Sequence, residues 1–267
     1  MYKNKIAWVT GASSGIGEGL VQELAAGGAK IILSARREPE LIRVQKEAGL
    51  TNENSLILSM DMNETSSFVE KTNIVINRFG QIDFLFHNAG ISQRGLVKDT
   101  SIEVDKKVMA VNFIGAVALT KVVLPFMLNR KEGHFIVISS LVGKFGTPVR
   151  SAYAASKHAL HGFFESLRAE IWKENVQVTI VCPGYIQTNI SVNAVDKDGN
   201  AYGKMDTNQA KGMNTRVCAG KILNAVRTGK REVLIGGKET IAVYLKRFFP
   251  SLLWRIVRNY KSNSMEE

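Results

Sequence analysis

Cysteine is scarce. Cys182 and Cys218 are the only two in 267 residues, and no C-x-x-C pair occurs. That excludes a disulfide framework and speaks against a structural zinc site. Acidic residues are also few, with 24 Asp and Glu against 35 Lys and Arg, a net charge of +11. The imbalance favours an anionic partner: a phosphate-bearing ligand, nucleic acid or a membrane surface. The basic residues are dispersed rather than interleaved with aromatics in a nucleic-acid module, so nucleic acid is not expected. Residues 1–10 read as a strand with no signal-peptide apolar core, which leaves a reducing cytoplasm as the expected compartment. Five prolines, 23 glycines and 22% charged residues exclude collagen-like, coiled-coil and wholly disordered chains. One segment, residues 108–128, is apolar enough to resemble a membrane span. Its Asn112, Thr120, Lys121 and Pro125 fit a helix buried on more than one side instead.

What is present is a regular alternation. Short apolar runs at 5–10, 30–35, 55–60, 82–87, 133–139, 176–182 and 232–235 alternate with helical patterns at 15–26, 39–48, 65–79, 104–128, 151–174 and 215–228. This predicts an α/β fold: a doubly wound sheet of about seven parallel strands with helices on both faces. One domain spans residues 1–237. Within it, residues 185–214 lack periodicity and read as a substrate loop or lid.

Two ends of this fold carry chemistry. The first strand runs into Thr10-Gly11-Ala12-Ser13-Ser14-Gly15-Ile16-Gly17. Glycines there permit a tight turn and close backbone approach to a phosphate at a helix N-terminus. The second strand ends at Ala35, followed by Arg36 and Arg37. No acid stands there to meet a ribose 2′-OH, and a guanidinium suits a 2′-phosphate, so NADP(H) is expected over NAD(H). At the other end, Tyr153 and Lys157 stand at i and i+4 and share a helix face. Ser140 ends the strand thirteen residues before Tyr153. Asn112 is a polar amide inside a helix, where it needs a reason.

Together with Asp61, Asn88-Ala89-Gly90 and Pro183-Gly184, these motifs resemble the short-chain dehydrogenase/reductase family over roughly residues 3–237. The resemblance implies a Rossmann-type oxidoreductase that interconverts a carbonyl and an alcohol by hydride transfer. It implies roles for Tyr153 as general acid, Lys157 as ribose anchor and cation, Ser140 as donor to the substrate oxygen, and Asn112 as anchor of a relay water. It implies cofactor contacts for Gly11, Ser13, Ser14, Gly15, Ile16 and Gly17, for Arg36 and Arg37, and for Asp61 and Met62. The same holds for Asn88, Ala89 and Gly90, and for Pro183, Gly184, Ile186 and Thr188 beside the nicotinamide. Val142, Phe145, Tyr185 and Ile190, with Ser140 and Tyr153, would border an apolar substrate. His87 stands where the family often has Asn. A homodimer or homotetramer is implied, formed through helices 104–128 and 151–174. The alternatives are a 3-oxoacyl carrier-protein reductase and a non-catalytic NADP(H)-binding sensor or scaffold.

Cys182 reads as an inert core thiol. None of His87, His134, His158 and His161 shows metal-ligand spacing beside a second acid or histidine on a convincing face, so each is read as structural and no metal is expected. Residues 238–267 form an extra tail. Ile241, Leu245, Phe248, Leu252 and Ile256 recur at helical spacing, and Lys246, Arg247, Arg255, Arg258 and Lys261 are basic. Pro250 should divide the tail. Three readings compete: packing on the chain's own core or over the cleft, an oligomer contact, and docking on an anionic membrane surface. Residues 262–267 read as frayed.

Overall fold

A computed structural model describes residues 1–259. Seven parallel strands form one sheet in the order β3-β2-β1-β4-β5-β6-β7. They are β1 (Ile6–Thr10), β2 (Lys30–Ala35), β3 (Ser55–Ser59), β4 (Phe84–His87), β5 (Gly133–Ile138), β6 (Val176–Pro183) and β7 (Glu232–Ile235). The chain winds outward from β1 in one direction and from β4 in the other. The crevice beyond the C-terminal ends of β1 and β4 is therefore the switch point where such sheets bind ligands.

Alternation along each strand divides the core in two. On one face Ala7, Val9, Ile31, Leu33 and Phe86 meet Val21 and Leu24 of α1 (Gly15–Ala26), Leu41 of α2 (Glu38–Glu47), and Ile222 and Val226 of α8 (Thr215–Arg227). On the other, Trp8, Ile32, Leu85, Phe135 and Val137 meet Val75 of α3 (Phe68–Phe79), Leu119 and Val123 of α5 (Gly115–Arg130), and Phe164 of α6 (Ser151–Glu170). Trp8 is fully buried, and its indole donates to Ser34 Oγ at 2.7 Å.

The expected helix at 104–128 is longer than its pattern and interrupted. It runs as α4 (Ile102–Met109), a π-turn (Ala110–Ile114) and α5, through to Arg130. By length and composition it is the one helix among the described residues able to cross a membrane, yet Val108, Ala116, Leu119, Val123 and Met127 are buried in the protein. Other boundaries shift slightly. Ser151–Glu170 stops four residues short of the expected end, and the strand expected at 82–87 begins at Phe84. Residues 185–214 are an ordered excursion that carries α7 (Thr207–Ala210) and is stitched by isolated bridges at Ile186–Met213 and Val195–Ala201. After β7 come α9 (Ile241–Phe248) and α10 (Pro250–Arg258), divided at Pro250 as its missing N–H and fixed φ require. Lys261 and the frayed end expected at 262–267 lie outside the described residues.

Candidate active site

The ends of β1 and β4 are stapled by side chains. Thr10 Oγ1 donates to Phe86 O (3.0 Å) and accepts from the amides of Asn88 (3.0 Å) and Ala89 (3.1 Å). Asn88 Nδ2 donates back to Thr10 O (3.0 Å) and Gly11 O (3.1 Å). Between them lies a cavity of about 920 Å³. It is lined by Gly11, Ser13, Ser14, Gly15 and Ile16, by Arg36, Arg37, Asp61 and Met62, and by Asn88, Ala89 and Gly90. Across from these lie Ser140, Val142, Phe145, Tyr153, Lys157, Pro183, Gly184, Tyr185, Ile186, Thr188 and Ile190.

Of the expected site residues, only Gly17 and Asn112 stand behind this wall. A Cβ on Gly17 would overlap Gly11 O and lie 2.6 Å from Asn88 Nδ2, so glycine lets the loop close on itself. Gly11 (φ 65°) and Gly15 (φ 62°) hold left-handed turns that disfavour other residues. Ser14 occupies the N-cap of α1 without turning its hydroxyl onto the helix amides. The helix start therefore faces the cavity with no side-chain cap, which fits a phosphate-bearing cofactor. Arg36 and Arg37 are exposed and make no ion pair among the described residues, whereas nearby Arg43 is bound to Glu18, Glu40 and Glu47.

At the reacting end, Lys157 Nζ donates to Ile138 O at 2.8 Å and lies 5.6 Å from the Tyr153 ring centroid. Burial brings the Lys157 ammonium down to about 8. Burial pushes the Tyr153 phenol up, and Arg150, a hydrogen bond with Ser140 and Arg94 pull against that. The opposing cations include two arginines that the motifs do not reveal. Ser140 Oγ accepts from Val142 N (3.3 Å) and donates to Pro183 O (3.4 Å), which fixes it at the end of β5.

The Asn112 side chain makes three hydrogen bonds within the fold. Its Oδ1 accepts from Ile91 N (2.8 Å), and its Nδ2 donates to Ile91 O and Ser156 Oγ (2.9 Å each). It ties the π-turn to Ile91, in the loop that follows β4, and to α6. A Cβ on Gly90 would sit 3.2 Å from Asn112 Oδ1 and 3.6 Å from Lys157 Nζ. Thr188 is held by Gln209, whose Nε2 donates to Thr188 Oγ1 at 3.0 Å. Glu239, also unforeseen, lies against Gly184 and accepts from Tyr185 N at 3.3 Å. The tail reaches the site too: Leu253, 2% exposed, lines the cavity with Ala242, Ile256 and Val257.

His87 and His134 are buried against Thr120 and Thr179, each at 2.8 Å. Burial lowers them to about 3 and about 4. The reading of His161 needs correction. It shares a face of α6 with Glu165, four residues on, and β7 adds Glu232, so three potential ligand atoms lie within 4.8 Å of one another. Lys144 Nζ already sits 2.6 Å from Glu232 and supplies the cation there. Cys182 and Cys218 are free and buried, and burial pushes each thiol up to about 12.

The sequence profile of the short chain dehydrogenase family matches residues 5–199. The chain belongs to that family. Curated relatives agree over nearly its whole length. Mouse dehydrogenase/reductase SDR family member 7B is 40% identical over 260 residues, 96% of this chain and 80% of that protein. A dehydrogenase/reductase SDR family protein 7-like from Anopheles gambiae is 43% identical, covering 95% and 82%. Among solved structures, a short-chain dehydrogenase/reductase from Burkholderia phymatum in complex with NAD superposes with a TM-score of 0.83 at 22% identity, over 94% of this chain and 95% of that one. A short-chain dehydrogenase from Burkholderia cenocepacia in complex with NADP gives 0.79 at 22%, over 97% and 100%. These structural likenesses establish the fold.

Proposed function

We propose that this short-chain dehydrogenase is an NADP(H)-dependent reductase of lipophilic ketones or aldehydes. The observation that carries the reading is that Ser140, Tyr153 and Lys157 share one cavity with an uncapped glycine turn. Arg36 and Arg37, which follow β2 and pair with no carboxylate among the described residues, support NADP(H), because free guanidiniums lining the cavity suit a 2′-phosphate. When bound, the cofactor supplies hydride, two electrons and one hydrogen, to the carbonyl carbon.

The chain's own residues do the rest. Ser140 donates to the carbonyl oxygen and holds it near Tyr153. Burial keeps the Tyr153 phenol protonated, so it is ready to give its proton to that oxygen as the alcohol forms. Lys157, Arg150 and Arg94 stabilise the phenolate left behind, until solvent returns the proton. Asn112 and Ser156 position α6 rather than touch substrate.

Val142, Phe145 and Ile190, with Leu253 from the tail, support an apolar substrate. Ile241, Tyr244, Phe248, Phe249, Leu252 and Trp254 are exposed beside Lys246, Arg247, Arg255 and Arg258. That face supports docking on an anionic membrane surface, with the cavity mouth at the bilayer. A homodimer through α4–α5 and α6 is supported by exposed Ile102 and Ile114, and a reducing compartment by the two free, buried thiols.

The test is to titrate the purified protein with NADPH and NADH and follow reduced-nicotinamide absorbance against a panel of lipophilic ketones and aldehydes. Tyr153→Phe should lower turnover by about 10²–10⁴-fold while NADPH still binds. Tight NADPH binding with equal turnover by Tyr153→Phe would overturn the assignment of the acid. Binding with no turnover on any carbonyl would favour a sensor.

A further inference from the structure

The cavity wall holds a charge cluster whose arginines the reductase reading uses only as cations near Tyr153. Arg94 is 4% exposed. Its Nη1 donates to Ser92 Oγ (2.7 Å) and Gln93 O (2.8 Å), its Nη2 to Asp206 Oδ2 (2.6 Å), and its plane lies 5.8 Å from the Tyr202 ring. Arg150 Nη2 donates to the same Asp206 oxygen at 2.8 Å. Two guanidiniums thus share one oxygen of one carboxylate, which leaves a positive charge uncompensated inside a largely apolar cavity. Both arginines line that cavity and both bear on Tyr153. The other acid on this side of the cavity, Glu239, is turned to Gly184 and the Tyr185 amide.

Two further groups point the same way. Arg94 Nε and the Thr147 hydroxyl are buried with no hydrogen-bond partner among the described residues, and Thr147 also lines the cavity. Buried donors without acceptors are costly and call for a ligand. The backbone that presents Arg150 is strained. Val149 has φ 59°, an outlier for a β-branched residue, and its carbonyl accepts from Gly95 N beside Arg94 at 3.2 Å. An ion cluster that merely pinned the 185–214 excursion would need one arginine for one aspartate.

We propose that the substrate carries an anionic group, a carboxylate or a phosphate, held by Arg94, Arg150 and Thr147 while its carbonyl meets Tyr153 and Ser140. The proposal names the substrate class of the reductase reading and rests on it. The ligand is then an amphiphile, with its apolar part between Phe145 and Leu253 and its charge on the arginines. Guanidinium suits either anion through paired N–H donors.

The test is calorimetric binding of decanoate, decyl phosphate and decanol to the full chain saturated with NADP⁺, which occupies the Arg36–Arg37 end. At least one anion should bind about tenfold tighter than decanol, about 1.4 kcal/mol. Arg150→Gln should abolish the preference, and Asp206→Asn, which frees both guanidiniums, should increase it. The tighter anion identifies phosphate or carboxylate. Equal binding of decanol and both anions overturns the proposal, as does a preference that survives in folded Arg150→Gln with Asp206→Asn unchanged. Absence of NADP⁺ binding would sink the reductase reading separately, since the anion comparison can still be read on the protein alone.

Discussion

His87 and His134 show what burial does to a titratable side chain. His87 stacks on Phe135 (centroids 6.2 Å apart, planes 7° apart), tilts against Phe164 at 5.5 Å, and hydrogen-bonds the Thr120 hydroxyl. With pKa values of about 3 and about 4, both rings stay neutral in the fold where the unfolded chain would bind protons below about 6.5. The unfolded state then carries more protons, so stability falls as pH drops from about 6.5 toward 4, by up to roughly 1.4 kcal/mol per pH unit for each ring. Urea midpoints measured across that range should show the slope, and His87→Asn should remove one proton's worth of it. Lys157 works at the other end of the scale. Its ammonium, lowered to about 8, is lost as pH rises past that value. Reductive kcat/KM is expected to fall above about pH 8 in a pH profile of the wild-type enzyme. Tyr153, Lys157 and Ser140 were legible because their spacing and order are local. Arg94, Arg150 and Asp206 were not, because three separate segments bring them together and nothing in their neighbours' periodicity marks them.

The elements that carry these residues are specified unevenly. The β1–α1 turn is written in its glycines. Gly17→Ala would press a methyl against the Gly11 carbonyl, so cofactor affinity is expected to drop by more than tenfold in a fluorescence titration even where circular dichroism shows the fold intact. The strand and helix alternation was equally legible, since each run is longer than the uncertainty of its ends. The π-turn at Ala110–Ile114 was hidden. A hydropathy pattern shows an apolar helix there, but not the extra residue that accommodates the pairing of Asn112 with Ile91 and Ser156. The role of Gln209 in holding Thr188 was hidden too, because the excursion that carries it has no periodicity to read. In the tail, helical spacing and Pro250 gave both helices, and the core contact singled out Leu253. Leu253→Ala should cost about 2–5 kcal/mol in chemical unfolding if α10 is integral to the core, and near zero if the tail frays away.

Across the whole molecule, the net charge of +11 is consistent with phosphate-bearing ligands, but its distribution matters more than its sum. Arg36 and Arg37 line the cavity just past β2, Arg94 and Arg150 line it near Tyr153, and Lys246, Arg247, Arg255 and Arg258 lie on the tail. Sedimentation with vesicles containing anionic lipid should carry the protein down at low salt and release it as salt rises, because exposed charges are screened within about 10 Å at 0.1 M. Phe248→Ser with Trp254→Ser should weaken that binding at every salt concentration. Binding that is unchanged in the double variant would assign the tail's exposed face to another contact.

The three tryptophans divide along the same lines. Trp8 is fully buried in β1, Trp172 is 72% exposed just past α6, and Trp254 is 50% exposed on α10. Each is a natural fluorophore in a different solvent. Replacing Trp172 with Phe would leave one emitter that reports the inside of the sheet and one that reports the tail. Collisional quenching by acrylamide would then separate them: the protected fraction follows global unfolding, and the accessible fraction shifts to the blue only when the tail leaves water.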